Sequence, residues 1–398
     1  MSKSTSVPIE PRVAGHITSP LPIYLMLAFA SLTVVGISFA LHAMIVGHDH
    51  VFGTTREVPW GILISGYAFF ACLSTGLCIV ASLGQVFGIE SFKPIVKRTV
   101  LLAIVAISCA LMSISLELEN PWRVPIYAVL SPHPESNIWW KSTIYSSYLL
   151  LMVINFLMLH RENYKAARIF GALALIAVSA ANLNMKADMS LVGSRQFWVE
   201  QYMPLYFFTY ATLLGCAGIL FFNWFAFKVK GEEPTSGESR ALSAVGKLMM
   251  VLLCIAAVFT GWKAYLGYNP ALSHNPEALI YLVQGDYSTN FWFGEVALAI
   301  VIPLLILVST RAKNITALSA AGLITLVGIF FKYYDLVIVG QLIPHFHEYN
   351  IVNIPQYYSY VPSLHENMML IGGIALAFTL FLFGEIVFNT PSDSSEQQ

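Results

Sequence analysis

The sequence predicts an all-α integral membrane protein with ten transmembrane helices. Three observations predict it. Charged residues make up 11% of the 398, against about 25% in an ordinary soluble domain. Hydrophobic residues make up 57%, and the mean hydropathy is +0.68. Ten apolar runs are long enough to cross about 30 Å of hydrocarbon at about 1.5 Å per residue. Each is read as a helix, because a lone spanning segment must satisfy its backbone hydrogen bonds internally. The 21 basic and 22 acidic residues nearly cancel. No global field draws a polyanion, so no nucleic-acid partner is expected; the partner is the lipid bilayer.

Residues 1–20 are polar, contain three prolines and lack the pattern of a signal peptide. Span 1 covers 21–46. Span 2 covers 59–86 and opens at Pro59; span 3 covers 95–118 and closes before Asn120–Pro121. Span 4 covers 138–160 behind Trp139–Trp140, and span 5 covers 165–186, ending at Lys186 and Asp188. Span 6 covers 202–227 with Pro204 near its start. Residues 231–240 read as a flexible linker. Span 7 covers 243–266 and closes before Asn269–Pro270; span 8 covers 288–310 and opens at Phe291–Trp292. Span 9 covers 315–341 and carries Lys332 and Asp335; span 10 covers 363–388, opening with His365 and Glu366. Residues 391–398 form a polar tail.

Fourteen of the 21 Lys and Arg gather on one side of these spans. The positive-inside rule then puts both termini in the cytoplasm, as an even span count requires. The marks on spans 2–5 recur on spans 6–9 at offsets of 145 to 152 residues. They predict two parallel four-helix bundles flanked by spans 1 and 10. The chain divides into a cytoplasmic tail (1–20), span 1 with an outer loop (21–58), a first bundle (59–200), a second bundle (201–341), an outer loop with span 10 (342–390), and the tail (391–398).

Charges inside a bilayer cost at least about 2.5–3.5 kcal/mol near its centre, so their places are the best functional signal. Glu117, Glu119, Lys141, Lys186, Asp188, Lys263, Glu295, Lys332, Asp335, His365 and Glu366 all fall toward the outer side. Lys141, Lys263 and Glu119 suit snorkelling at the interface. Glu295 and Lys332 lie deeper, where a buried acid and base on neighbouring helices would pair. The inner half has little comparable beyond Glu385.

The five cysteines fall inside spans and form no CxxC pair, so they read as packing residues and no iron–sulfur site is expected. Of the ten histidines only His42 lies well inside a span, which argues against a haem with facing axial ligands. His48–Asp49–His50 and His345–Phe346–His347–Glu348 are weak metal patterns, read as solvated histidines, and no metal site is expected.

Four segments carry a resemblance. Pro59–Trp60–Gly61 precedes an apolar helix with Ser74–Thr75–Gly76. Glu117 leads through Trp122 to Pro125. Phe291–Trp292 is followed by Glu295 and Pro303, and Tyr360–Pro362–Ser363 by Glu366. In this order the chain resembles the NrfD/PsrC-like polysulfide reductase membrane subunits, in their ten-span HybB/DsrP-type form. There are departures: Lys141 stands where an acid is expected, Met185–Lys186 replace a His-Gln pair, and Lys332 falls where span 9 would have a Glu-Arg pair.

The resemblance implies the quinone-reactive subunit of a respiratory oxidoreductase in a bacterial or archaeal inner membrane, not catalytic alone on the terminal substrate. It implies menaquinone or ubiquinone as bound substrate. It also implies a periplasmic ferredoxin-like iron–sulfur partner, and a molybdopterin, hydrogenase or multihaem cytochrome catalytic subunit. The loops at 119–137, 187–200 and 342–362 would dock the partner. The quinone would enter between spans 2–5 near the outer face, meeting Tyr67, Glu117 and Asn120, with Glu117 and Tyr67 as the reacting groups. Trp122, Trp139, Trp140, Lys186 and Asp188 would border it, and Glu295, Lys332, Asp335 and Glu366 form a candidate proton path. A proton-coupled secondary transporter is the alternative.

Overall fold

The computed structural model describes residues 20–191, 196–198, 203–273, 276–344 and 355–388, with backbone alone over 185–191, at 196 and over 203–204. Among these residues ten helices are long and apolar enough to cross a membrane, and none of the described residues is strand. They are span 1 (Leu21–Val46), span 2 (Ile62–Gln85), span 3 (Glu90–Glu117), span 4 (Asn137–His160) and span 5 (Tyr164–Leu191). The rest are span 6 (Met203–Lys230), span 7 (Ser236–Tyr268), span 8 (Asn290–Ser309), span 9 (Ile315–Leu342) and span 10 (Leu364–Phe388).

Span 7 is the largest departure in length. It starts at Ser236, inside the stretch expected to be a flexible linker. Thr235 is the reason. Its hydroxyl accepts from the Glu238 amide at 3.2 Å, and Glu238 accepts from the Thr235 amide at 2.8 Å. This reciprocal cap satisfies two of the donors that a helix start leaves open.

Span 8 departs in kind. Asn290–Val301 is a π-helix, and α-geometry resumes at Ile302–Ser309, with Pro303 in its first turn. Pro303 has no N–H to give to the preceding turn, and the wider turn before it accommodates that loss. Glu295 sits on this wide segment.

Spans 2, 3, 4 and 5 pack in cyclic order, 2 on 3, 3 on 4, 4 on 5 and 5 on 2. Spans 6, 7, 8 and 9 do the same. Span 2 lies against spans 6 and 9, span 10 against span 3, and span 1 mainly against span 10. The crossing of spans 2 and 6 explains Gly76: a Cβ there would strike the Ala211 carbonyl, and Gly215 faces it from the other backbone. Close backbone approach through small residues is how helices associate where no hydrophobic force separates protein from lipid. Ser74, beside it, bonds the Ala103 carbonyl at 2.8 Å and the Tyr148 hydroxyl at 2.9 Å, tying span 2 to spans 3 and 4.

Candidate functional site

One end of the spans carries Glu117 and Glu366, and is called the acidic end. Here the segment before span 2 is fastened at three points. The Gly53 amide donates to Glu366 Oε2 at 2.7 Å. The Trp60 amide donates to Gln341 Oε1 at 2.9 Å, and Gln341 Nε2 donates back to the Trp60 carbonyl at 3.0 Å. The Ile62 amide donates to the Tyr360 hydroxyl at 2.8 Å, which donates in turn to Glu366 Oε1 at 2.6 Å. Glu366 is fully buried, and its Oε2 also accepts from the Ser363 amide at 2.8 Å while Ser363 Oγ accepts from the Glu366 amide at 3.2 Å. The Pro-Ser-x-x-Glu segment is therefore a capping box for span 10 whose carboxylate also holds a loop. Outside the spans, Tyr360 is pushed well above the usual phenol range by burial and by the Glu366 carboxylate it bonds.

Glu117 ends span 3 against this framework. Its carboxyl lies by the Gly61 amide and within electrostatic reach of Glu366, and its Oε2 is sealed from solvent without a hydrogen-bond partner. A buried acceptor left open costs about 1–3 kcal/mol, which marks it as a place for a donor to arrive.

The other residues expected around Glu117 divide. Tyr67 is buried on span 2 and turns to span 4, where its ring meets Tyr145 edge-on at 6.3 Å and Lys141 Nζ lies 5.5 Å from its centroid. Trp139 and Trp140 brace the preceding loop, donating through Nε1 to the Ala128 and Pro134 carbonyls at 2.9 and 2.8 Å. Trp122 is exposed and Asn120 half-buried. Lys186 and Asp188 lie on span 5, but their side chains fall outside the described residues, as do residues 192–195, 199–202 and 345–354 of the expected docking loops, with His345 and His347.

A second group lies deeper, among spans 6, 7, 8 and 9. Glu295 is buried and pairs with Lys263 at 2.7 and 3.1 Å. This corrects two expectations: Lys263 is not an interfacial snorkel, and Lys332 is not the direct partner of Glu295. Lys332, also buried, bonds the Tyr206 hydroxyl and lies against the rings of Tyr206 and Tyr210, with centroids 3.5 and 3.7 Å from its Nζ. Asp335 accepts from Asn290 at 3.1 Å through Oδ1; its Oδ2 is buried without a partner, and Glu295 lies within its electrostatic reach. Glu295, Asp335, Lys263 and Lys332 thus form one cluster, and Tyr210 extends it to Thr260 at 2.8 Å. Glu366 belongs to the framework above.

The opposite end holds a group that contradicts the expectation of an almost uncharged inner half. Arg98 donates to Glu385 at 2.9 and 3.4 Å and to Asn223 Oδ1 at 2.9 Å, and lies 3.7 Å from Glu238. Lys230 reaches Glu385 at 2.6 Å. The signal in the sequence is phase. Arg98 shares a helix face with Leu101, Leu102 and Val105, all buried, so it points inward although it follows Lys97 in a basic pair.

Tyrosines line the acidic end beyond the spans. Tyr281 stacks on Tyr357 at 4.1 Å and donates to Asp286 at 3.1 Å. Burial and that carboxylate push Tyr281 up to about 12.

The described residues hold no group of three or more metal-ligating side chains. A family model for "Polysulphide reductase, NrfD" matches residues 50–345. An Archaeoglobus fulgidus protein named "Hdr-like menaquinol oxidoreductase integral membrane subunit" is 28% identical over 373 residues, covering 92% of each chain. A selenate reductase subunit of Mesobacillus selenatarsenatis is 24% identical over 374 residues, covering 82% of this chain and 85% of its own.

Proposed function

The chain belongs to the NrfD polysulphide reductase family and is a multi-pass integral membrane protein, and from that premise we propose that it carries electrons between a quinone pool and an iron–sulfur partner seated over its acidic end. The names of its relatives support a membrane, quinone-interacting subunit of an oxidoreductase complex. The charge bias of the loops supports the acidic end as the periplasmic one. The partner is then a periplasmic ferredoxin-like subunit, itself joined to a molybdopterin, hydrogenase or multihaem cytochrome subunit. One relative's name points to menaquinone as the substrate.

The observation that carries the reading is the open, buried Oε2 of Glu117 beside the fastened Gly61–Ile62 turn. A quinol hydroxyl brought there donates to Glu117. Oxidation releases two protons and two electrons; Glu117 takes the protons one after the other, passing the first to the water at the acidic end before it accepts the second, and the electrons leave to the partner's cluster. Tyr67, with Lys141 over its ring, supplies a second polar group on span 2. In the reverse direction the same groups deliver protons. The Glu295–Lys263–Asp335–Lys332 cluster is a candidate proton path in this reading, since desolvated acids and bases near one another, with the Tyr206 hydroxyl on Lys332, offer a succession of proton-holding groups.

The test is Glu117→Gln in the assembled complex. It keeps size and hydrogen bonding but removes the proton acceptor, so quinol-linked turnover should fall by about 10²–10⁴ while the partner proteins still copurify. Unchanged turnover removes Glu117 from the chemistry.

A further inference from the structure

Spans 2, 3, 6, 9 and 10 enclose a cavity of about 320 Å³ at mid-depth. Every side chain in its wall is apolar, with Phe69, Leu102, Phe222 and Phe330 among the larger ones. Leu323, Val327 and Ile374, also in the wall, are 43%, 45% and 42% exposed, so the cavity opens sideways between spans 9 and 10. On span 10 the wall runs from Leu370 to Phe378, a rise of about 12 Å. A dry slot that follows span 10 for about 12 Å and opens to hydrocarbon along one side fits an apolar chain better than a polar solute.

The layer between this slot and Glu117 sets small residues among larger ones, Ile62, Leu63, Met369 and Leu370 packing there as one buried group with Leu116 beside them. Gly66 lies one turn below Ile62, Ser113 one turn below Glu117, and Gly373 just above Ile374. A Cβ on Gly373 would meet only Ser113 Oγ, at 3.8 Å. On Gly66 it would meet the flexible end of Leu370 at 2.9 Å and Ser113 Oγ at 3.9 Å. Of the larger side chains in this layer, Leu370, at the head of the slot, is the one whose tip fills the place beside Gly66.

We infer that the slot is the seat of an isoprenoid chain, and that the quinone ring reaches Glu117 from between spans 9 and 10, past Gly66, Ser113 and Gly373. The inference rests on the quinone reading above and replaces entry between spans 2–5. A phospholipid acyl chain is the weaker occupant, because its headgroup stays at the bilayer surface while the slot leads inward to a carboxyl. The slot gains no hydrophobic free energy over lipid, which is equally apolar; its effect is to route the chain and orient the ring.

The experiment measures quinone binding to the purified complex in lipid nanodiscs, with a long-chain menaquinone and with its tail-less parent naphthoquinone. Gly373→Leu closes the passage and Leu326→Trp fills the slot. Leu326→Trp should weaken the long-chain quinone roughly tenfold or more, the scale of an overpacked site, and leave the tail-less ring unaffected, while Gly373→Leu, which blocks the way of the ring itself, should weaken both. Equal effects of Leu326→Trp on both probes, or no effect of either variant on long-chain quinone, overturn the inference, and so does a phospholipid that copurifies with the native complex and is lost from Leu326→Trp while long-chain quinone binding holds. Glu117→Gln separates this failure from failure of the quinone reading, since that reading falls only if the mutation leaves binding and turnover of the tail-less ring intact. If Gly373→Leu does not assemble, a long-chain quinone with a photoreactive group near its tail end is used on the native complex. Label on spans 9 and 10 around Leu323, Val327 and Ile374 supports the route, and label confined to spans 4 and 5 refutes it.

Discussion

Arg98→Met should be among the most destabilising single changes in the chain. Arg98 makes two bonds to Glu385 and one to Asn223 and lies near Glu238, and its side chain is 6% exposed, against 2% for Glu385. With Lys230 the group holds two cations and two carboxylates, joining spans 3, 6, 7 and 10. Methionine keeps much of the volume but leaves three charges, two of them negative, where water cannot reach. Removing one partner of a buried pair costs about 3–5 kcal/mol. The double change Arg98→Met with Glu385→Met leaves Lys230 and Glu238, one of each sign, and should cost within about 1 kcal/mol of nothing, because a buried pair replaced by apolar groups is often neutral. Equilibrium unfolding of the purified chain in mixed micelles, run as a double-mutant cycle, reads the difference as a coupling of about 3 kcal/mol or more. A cost below about 1 kcal/mol for Arg98→Met alone, or a double mutant that costs the sum of the singles, would refute the reasoning.

The same logic at the deeper cluster predicts that Lys263→Met strands Glu295, costing about 3–5 kcal/mol in the same assay, and that adding Glu295→Gln recovers most of it. Thr235→Ala removes the cap of span 7 and should cost about 1 kcal/mol, measured as a lower midpoint of unfolding. Gly76→Leu should give no folded protein by size-exclusion chromatography, since its side chain would enter the span 6 backbone; Gly261→Ala, which meets nothing within 4 Å, should raise stability by about 0.4–1 kcal/mol.

The ten spans were legible because the cost of exposing backbone to lipid forces long apolar runs, and those runs are visible at any level of detail. The start of span 7 was hidden by composition. Gly231–Arg240 reads as a linker from its glycines and charges, yet Thr235 and Glu238 stand at the spacing of a capping box. At the site, Glu117 and Glu366 stand out as acids at the outer ends of spans 3 and 10, on segments that carry the family resemblance. Their neighbours do not, because Gln341, Tyr360 and Gly53 are distant in sequence and ordinary in type. Lys263 and Arg98 misled for one reason: a cation near a span end reads as surface charge until the face it occupies is known. Lys332 was placed correctly as buried, but its partner proved to be a pair of tyrosine rings, which no charge-matching rule anticipates.

The fastening of the turn before span 2 has a consequence for where this chain could be shortened. The family match stops at residue 345, yet Tyr360, Ser363 and Glu366 lie past that point and hold Gly53 and Ile62. A version trimmed to the matched region would keep the carboxylate of span 3 while losing the brace that keeps it dry. Such a protein would insert into the bilayer yet leave that acid open to bulk water, and a minimal unit has to extend through the last helix.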